Sequence, residues 1–254
     1  MRTTILPPLV TTAALLGAAE ALSVTGALPA EIPRVTAVAG WLAGNAASPE
    51  LWTAAGQTLG HWAAALLLGV AAGTVTGAAM AAVPAVNDLL QGTVEFFRPI
   101  PVIVYLPVML LLFGATAQVV VLLAAVAAVW PMLLQTLYGV RDIDPVARDT
   151  ARVFGLNARQ RLVWVTAPGV LPYFSTGVRI ASTITLLVAI GMELVGAVPG
   201  LGNTLATYAT NGLYAATYAV IVVAGLLGVL LNAVFERLER RVLRWHPGTR
   251  VRAA

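Results

Sequence analysis

Residues 100–140 carry no charge at all, and residues 180–235 carry only Glu193. A hydrocarbon core about 30 Å thick is crossed by about 20 apolar helical residues, at roughly 1.5 Å each. Each of these runs is far longer than that, so each must fold back on itself. In the first, Gly114-Ala115-Thr116-Ala117-Gln118 reads as the reversal, which leaves Arg98 and Arg141 on one side. In the second, Pro199-Gly200-Leu201-Gly202-Asn203 breaks the run and the more polar Tyr208-Ala209-Thr210-Asn211-Gly212 follows, returning Glu236 to the side of Arg179. Upstream, residues 7–28 and 57–82 are each long enough for one helix. A spacer at 29–50 with Pro29, Pro33, Pro49, Glu31 and Glu50 separates them. The expected fold is an all-α integral membrane protein with about six transmembrane helices.

Composition agrees. Hydrophobic residues make up 59% and charged residues 10% of the 254 residues, where soluble domains carry about a quarter charged. The net charge of +4 is due to arginine alone, since the chain has no lysine. No basic stripe with interleaved aromatics is present, so nucleic acid is not an expected partner. The absence of cysteine excludes disulfides, thiolate metal sites and cysteine nucleophiles. Without lysine there is also no Gly-x-x-x-x-Gly-Lys-Ser/Thr phosphate loop, so ATP binding would belong to a partner.

Arginine distribution sets the expected orientation. Arg141, Arg148, Arg152, Arg159, Arg161 and Arg179 fall in one polar segment, and another six arginines follow from Arg237 onward. The 29–50 spacer has only Arg34. Arginine collects in cytoplasmic loops, and an even number of crossings separates the two rich segments. Both termini are therefore expected in the cytoplasm. A cleaved signal peptide is the rival reading of the first run, with small residues at 27–30; it leaves the downstream orientation unchanged. No repeat or linker divides the chain. The expectation is one membrane domain over 1–254, with a polar loop at about 141–172 and a tail at about 237–254.

Within the polar loop, Pro145 precedes a helical stretch over 146–154, and Asp142 and Asp144 stand at its positive pole. Val146, Asp149, Thr150 and Val153 share one face. Gly155 ends this helix, and a second amphipathic stretch at 158–165 is expected to end at Pro168. An ordinary loop that only orients the helices is the alternative. The spacing of Asp149-Thr150-Ala151, Gly155 and Val165-Thr166-Ala167-Pro168 resembles the Glu-Ala-Ala loop of ABC-importer permeases. In that pattern Asp149 replaces Glu, Thr150 replaces Ala, Val165 replaces Ile and Ala167 replaces Leu, while Ala151, Gly155 and Pro168 match.

Other segments extend the resemblance over roughly residues 55–248. Phe97-Arg98-Pro99-Ile100-Pro101, Leu106-Pro107, Phe113-Gly114, Leu171-Pro172-Tyr173 and Gly177-Val178-Arg179-Ile180-Ala181 resemble the aliphatic sulfonate, taurine and nitrate permease branch. So do Glu193 with Gly200-Leu201-Gly202, and Leu243-Arg244-Trp245-His246-Pro247. The resemblance implies a type I importer permease in the bacterial inner membrane. It implies a homodimer surrounded by lipid, two ATP-binding cassette ATPase subunits docked on Asp149, Thr150, Ala151, Gly155, Val165 and Pro168, and an external solute-binding protein. It implies no cofactor and no catalysis by this chain, and a small solute such as a sulfonate, taurine, nitrate or a vitamin precursor.

Glu193 is the one acid deep in a late span, which makes it a candidate for the translocation path; the alternative is an interfacial carboxylate bonded to its own break at Pro199-Gly200. Arg98 and Glu95 read as anchors at the inner interface, and Glu20 as a residue that could pair across a dimer. His61 and His246 are too far apart to suggest a metal. Gly69-x-x-x-Gly73-x-x-x-Gly77 permits close helix packing. Two other functions compete. A secondary transporter or channel working without ATP would need matching interrupted spans in two halves, and an intramembrane enzyme would need a catalytic constellation. Neither is present in the sequence. The topology is testable in this cysteine-free chain: a cysteine at Asn157 should resist impermeant thiol reagents in intact cells and react in inverted vesicles, whereas labelling from outside refutes it.

Overall fold

The computed structural model describes residues 6–243, and every regular element among them is helical. Helices α1 (Leu6–Val24) and α2 (Val35–Asn45) come first, then the long α3 (Pro49–Ala82) and α4 (Pro84–Phe97). A 3-10 turn (Val102–Tyr105) leads into α5 (Leu106–Phe113), followed by α6 (Ala117–Arg141), α7 (Pro145–Val153) and α8 (Ala158–Arg161). A π-helical turn (Leu162–Thr166) joins α8 to α9 (Ala167–Gly196), and α10 (Leu201–Thr210) and α11 (Tyr214–Val242) complete the order.

Four helices are long and apolar enough to cross a membrane: Pro49–Ala82, Ala117–Arg141, Ala158–Gly196 and Tyr214–Val242. The segments Pro84–Phe97 and Val102–Phe113 are bent by 85° and make a fifth crossing only if taken together. Residues 102–113 alone rise roughly 20 Å, about two thirds of a hydrocarbon core. Pro99 and Pro101 cause the bend, because each lacks an N–H and pushes the residue before it out of helical geometry. Helix α1, Leu6–Val24, has 19 residues and a rise of roughly 28 Å, close to one crossing. The membrane-helical class therefore holds, and a count of six takes in α1 and the bent pair. Charge-free length reveals how many apolar segments there are, and says nothing about whether each is straight.

Two further local expectations are corrected. The 29–50 spacer contains α2, and α3 begins at Pro49 rather than near 57 because Ser48 Oγ caps it, accepting from Leu51 N–H at 3.2 Å. Leu201, Gly202 and Asn203 of the expected second break already belong to α10, which runs on through Tyr208, Ala209 and Thr210, while Asn211 and Gly212 form the turn after it. Glu20 already has partners within the chain: its two carboxylate oxygens accept from Thr36 Oγ1 at 2.7 Å and Thr36 N–H at 3.2 Å, tying α1 to α2.

Helices α3, α6 and α9 form the centre. Ala65, Val119, Val120, Leu123, Ala124, Ala189 and Met192 are buried together where they meet. The seam between α3 and α6 follows the three glycines spaced by four. A Cβ at Gly69 would lie 2.8 Å from the Ala125 carbonyl oxygen. At Gly73 it would lie 2.6 Å from the Val129 oxygen and 2.7 Å from Met132 Cβ, and at Gly77 it would strike the Leu133 carbonyl. This glycine face is thus consumed inside the chain. Leu226, Val229 and Leu230 on α11 stay exposed, as lipid-facing side chains do. Gly73→Ala should lower the apparent Tm in detergent, with overpacking costing about 1–3 kcal/mol. Gly60→Ala, on the same helix with nothing within 4 Å of the added Cβ, should leave it unchanged.

Candidate functional site

Residues 141–166 form a helical hairpin held by local hydrogen bonds. Asp144 Oδ1 accepts from Val146 N–H at 2.8 Å and so caps α7. At the other end Gly155 adopts φ +69. Gly155 N–H donates to the Arg152 oxygen at 2.9 Å and Leu156 N–H to the Ala151 oxygen at 3.0 Å, a glycine-dependent helix stop. A reciprocal capping box then starts α8: Gln160 N–H donates to Asn157 Oδ1 and Asn157 N–H to Gln160 Oε1, both at 2.9 Å. The stop at Pro168 expected from the sequence does not occur, since helix runs without interruption from Ala158 to Gly196. In the π turn Ala167 N–H bonds back to the Leu162 oxygen, five residues earlier. Pro168 comes just after the π turn, and its missing N–H is taken up by that local change in the hydrogen-bond ladder.

The hairpin is rooted at its base. Tyr173 Oη donates to Asp142 Oδ2 at 2.6 Å, Arg148 donates to the Val140 carbonyl, and Arg141 donates to Asn87 Oδ1 at 2.7 Å. Ile143 and Ala151 are buried beneath it. Of the six residues singled out in the sequence, Asp149 and Thr150 are exposed, with Asp149 paired to Arg152 at 3.0 Å. Ala151 is a buried anchor, Gly155 is the turn, and Val165 and Pro168 sit half-buried at the root. Val153 is 86% exposed and Phe154 77%, with Val146 also bare. The exposed rim therefore mixes apolar and charged groups, as a protein-docking surface does. The prominence of Phe154 was not evident from helical periodicity, because the residue lies in the cap beyond α7.

Glu193 lies at the opposite end of the bundle, fully buried. Its Oε2 accepts from Thr58 Oγ1 at 2.8 Å and Gly202 N–H at 3.0 Å, while His61 Nδ1 lies 2.8 Å from Oε1. Thr58 Oγ1 in turn accepts from Leu201 N–H at 2.9 Å. The carboxylate thus binds α3 to the start of α10. A Cβ at Gly200 would sit 2.5 Å from Glu193 Oε1, and one at Gly202 would sit 2.8 Å from Glu193 Cβ, so these glycines admit the side chain. Sequence reasoning did not find Thr58 and His61 as its partners. Their spacing of three along one helix is a weak signal, legible only once α9 is placed beside them. Among the described residues no group of three His, Cys, Asp or Glu could hold a metal, and His246 lies outside them, as does the 244–247 part of the terminal motif.

With this geometry in place, comparison with known proteins decides the family. Residues 65–244 match the binding-protein-dependent transport system inner membrane component family. This chain belongs to that family. It is 32% identical to the taurine transport system permease protein TauC of Escherichia coli over 77% of this chain and 71% of the relative. It is 30% identical to the bicarbonate transport system permease protein CmpB of Synechococcus elongatus, over 71% of this chain and 64% of the relative. The nitrate import permease protein NrtB of Leptolyngbya laminosa is 26% identical, over 70% of this chain and 63% of the relative. The chain thus spans a little under two thirds of the last two. Among solved structures, a chain of the inward-facing MetNI methionine ABC transporter superimposes with a TM-score of 0.67 at 20% identity, covering 77% of this chain and 99% of that one. The type I importer permease fold is therefore shared, and this chain is a transport permease component of the inner membrane.

Stability measurements can separate the charge of Glu193 from its hydrogen bonds. Glu193→Ala leaves buried donors at Thr58 and Gly202 unmet, each costing about 1–3 kcal/mol, and should lower the Tm markedly. Glu193→Gln keeps an oxygen for the Gly202 N–H and should lose less. Equal loss in both variants would show that charge, not acceptance, is what matters.

Proposed function

We propose that this chain is the transmembrane subunit of an ATP-driven ABC importer that moves a small solute delivered by an external binding protein. Two copies would form the path, and two separate ATPase subunits would supply hydrolysis. The observation that carries the reading is the 141–166 hairpin. It is stiffened by a cap, a glycine stop and a capping box, rooted to the bundle, and tipped by bare Val146, Val153 and Phe154. Apolar side chains this exposed at a charged loop outside the spans call for a protein partner. The family membership and the taurine, bicarbonate and nitrate permease relatives support the same reading.

In this reading all 254 residues form one permease domain, with the 141–172 loop and the 237–254 tail on the cytoplasmic face and both termini inside. Asp149 and Thr150 face the ATPase, and Ala151, Gly155, Val165 and Pro168 hold the hairpin in shape. Glu193 serves at the outer end, where it locks α10 against α3 and so controls the mouth of the path. The solute belongs with the small anions of the relatives, such as taurine, another sulfonate or nitrate; a vitamin precursor is the broader alternative.

Reconstitution tests this. Proteoliposomes holding this chain, its neighbouring ATPase and the binding protein should accumulate solute only with ATP, and should do so after the proton gradient is collapsed. Gly155→Val should insert normally yet lose most uptake and most solute-stimulated ATP hydrolysis together. A β-branched residue at φ +69 is strained by roughly 1–2 kcal/mol, while open space around the added Cβ means nothing else is disturbed. Concentrative uptake by this chain without the ATPase would refute the proposal.

A further inference from the structure

Helix α4 divides its surface three ways. At 3.6 residues per turn, Asn87, Asp88, Gln91, Glu95 and Arg98 fall within about 100° of one another around its axis. Val86, Leu90 and Val94 form a second sector, packed with Met80 of α3 and with Leu133 and Leu137 of α6. Leu89 and Phe96 make a third, 76% and 67% exposed. A chain of donors draws the polar sector together. Arg141, the last residue of α6, donates to Asn87 Oδ1 at 2.7 Å. Asn87 Nδ2 then donates to Gln91 Oε1 at 3.3 Å, and Gln91 Nε2 to Glu95 Oε1 at 2.8 Å. The polar sector thus faces the end of the bundle that carries the charged hairpin.

The direction of α4 follows from the arm beyond it. That arm climbs the bundle: Ile100 and Pro101 share a cleft with Leu134 and Ile180, whereas a Cβ at Gly196, far along α9, would lie 3.7 Å from Leu110 and 3.9 Å from Leu106. Helix α4 meets the arm at 85°, so it lies across the bundle rather than along it. The lengths agree. From Leu133, which packs with Val94, back to Ala117 at the start of α6 is roughly 24 Å. Residues 102–113 rise roughly 20 Å, and the turn at 98–101 joins them to α4. Leu89 and Phe96 lead into Val104, Val108 and Leu111 of the adjoining arm, which are as bare and in a membrane protein meet lipid. A helix with one apolar and one polar exposed side, lying across the end of the spans, suits the boundary between acyl chains and headgroups. We propose that α4 is an interfacial helix whose partner is the lipid surface. Leu89 and Phe96 enter the acyl boundary, the polar sector meets headgroups and water, and residues 98–113 alone make the crossing. Through Arg141, where the hairpin begins, this gives the hairpin a footing on the membrane. That the surface is the cytoplasmic one rests on the orientation proposed above; the lie of the helix does not.

The chain has no cysteine, so single nitroxide-labelled thiols can report depth in the full chain held in nanodiscs. Leu89→Cys, Phe96→Cys, Asp88→Cys, Glu95→Cys, Val104→Cys and Leu111→Cys all replace exposed residues. Depth is read from power saturation, with oxygen as the apolar relaxant and a nickel chelate as the polar one. Labels at 89 and 96 should lie at one shallow depth, equal within about 3 Å, because an interfacial helix inserts only about 5–10 Å. Labels at 88 and 95 should be open to nickel. Labels at 104 and 111, on the climbing arm, should differ by roughly 10 Å, the rise of seven helical residues. A difference of roughly 10 Å between 89 and 96 makes α4 part of a crossing and overturns the inference. So do equal depths at 104 and 111, and labels at 89 and 96 that neither relaxant reaches, which a second copy would cover. Nickel reaching 89 and 96 as freely as 88 overturns it too. Failure of ATP-driven uptake in the liposome experiment removes the transport reading and leaves these depths unchanged.

Discussion

The contact on which the rest of the bundle depends is backbone against backbone, between α3 and α6. Gly69, Gly73 and Gly77 bring α3 so close to Ala125, Val129 and Leu133 that no side chain fits between. In lipid the hydrophobic effect gives helices little reason to associate, because the tails are as apolar as leucine. Close packing and interhelical hydrogen bonds take over. Glycine at every fourth position supplies the first of these over three successive turns. Helix α9 then lies against α6, and the cluster around Ala124, Ala189 and Met192 closes the centre. Helix α11 remains largely at the periphery, so what surrounds the central three can move without breaking them.

The second means of association, polar pairing, is concentrated at Glu193. A buried carboxylate is tolerated only when its oxygens are satisfied, and here three groups from two elements converge on it. The arrangement is selective about register. Thr58 both donates to the carboxylate and accepts from Leu201 N–H, so a one-residue slip of α3 would leave a buried backbone donor as well as a carboxylate oxygen unpaired. Packing through glycine permits several helix positions, and this node picks one.

How much of this was legible in the sequence follows from what each signal measures. Freedom from charge located α6, α9 and α11 well, because crossing lipid leaves no alternative for those residues. It was silent on α2 and α10, whose boundaries depend on local caps and turns, and it overestimated the regularity of the third crossing, where two prolines outweigh apolarity. In the loop, Pro145 and Gly155 marked the ends of α7 correctly, since proline at a helix start and glycine at its stop act through backbone geometry alone. Pro168 misled for the same reason: its effect depends on whether the preceding turn is α or π, which no single residue announces. The partners of Glu193 arise from contacts between elements distant in sequence, and periodicity along one helix carries no record of those.

One uninterrupted helix of 39 residues, Ala158–Gly196, joins the hairpin at one end to the Glu193 node at the other. Such a rod is roughly 58 Å long at the α-helical rise. Tilting it by about 5° displaces one tip relative to the other by about 5 Å, on the order of a helical turn. Slack in its hydrogen-bond ladder lies near the loop, at the π turn, Pro168 and Pro172. Leverage is therefore built in: motion at the loop that is not absorbed in those first turns arrives at the far end as a change in angle, across the full thickness of the membrane.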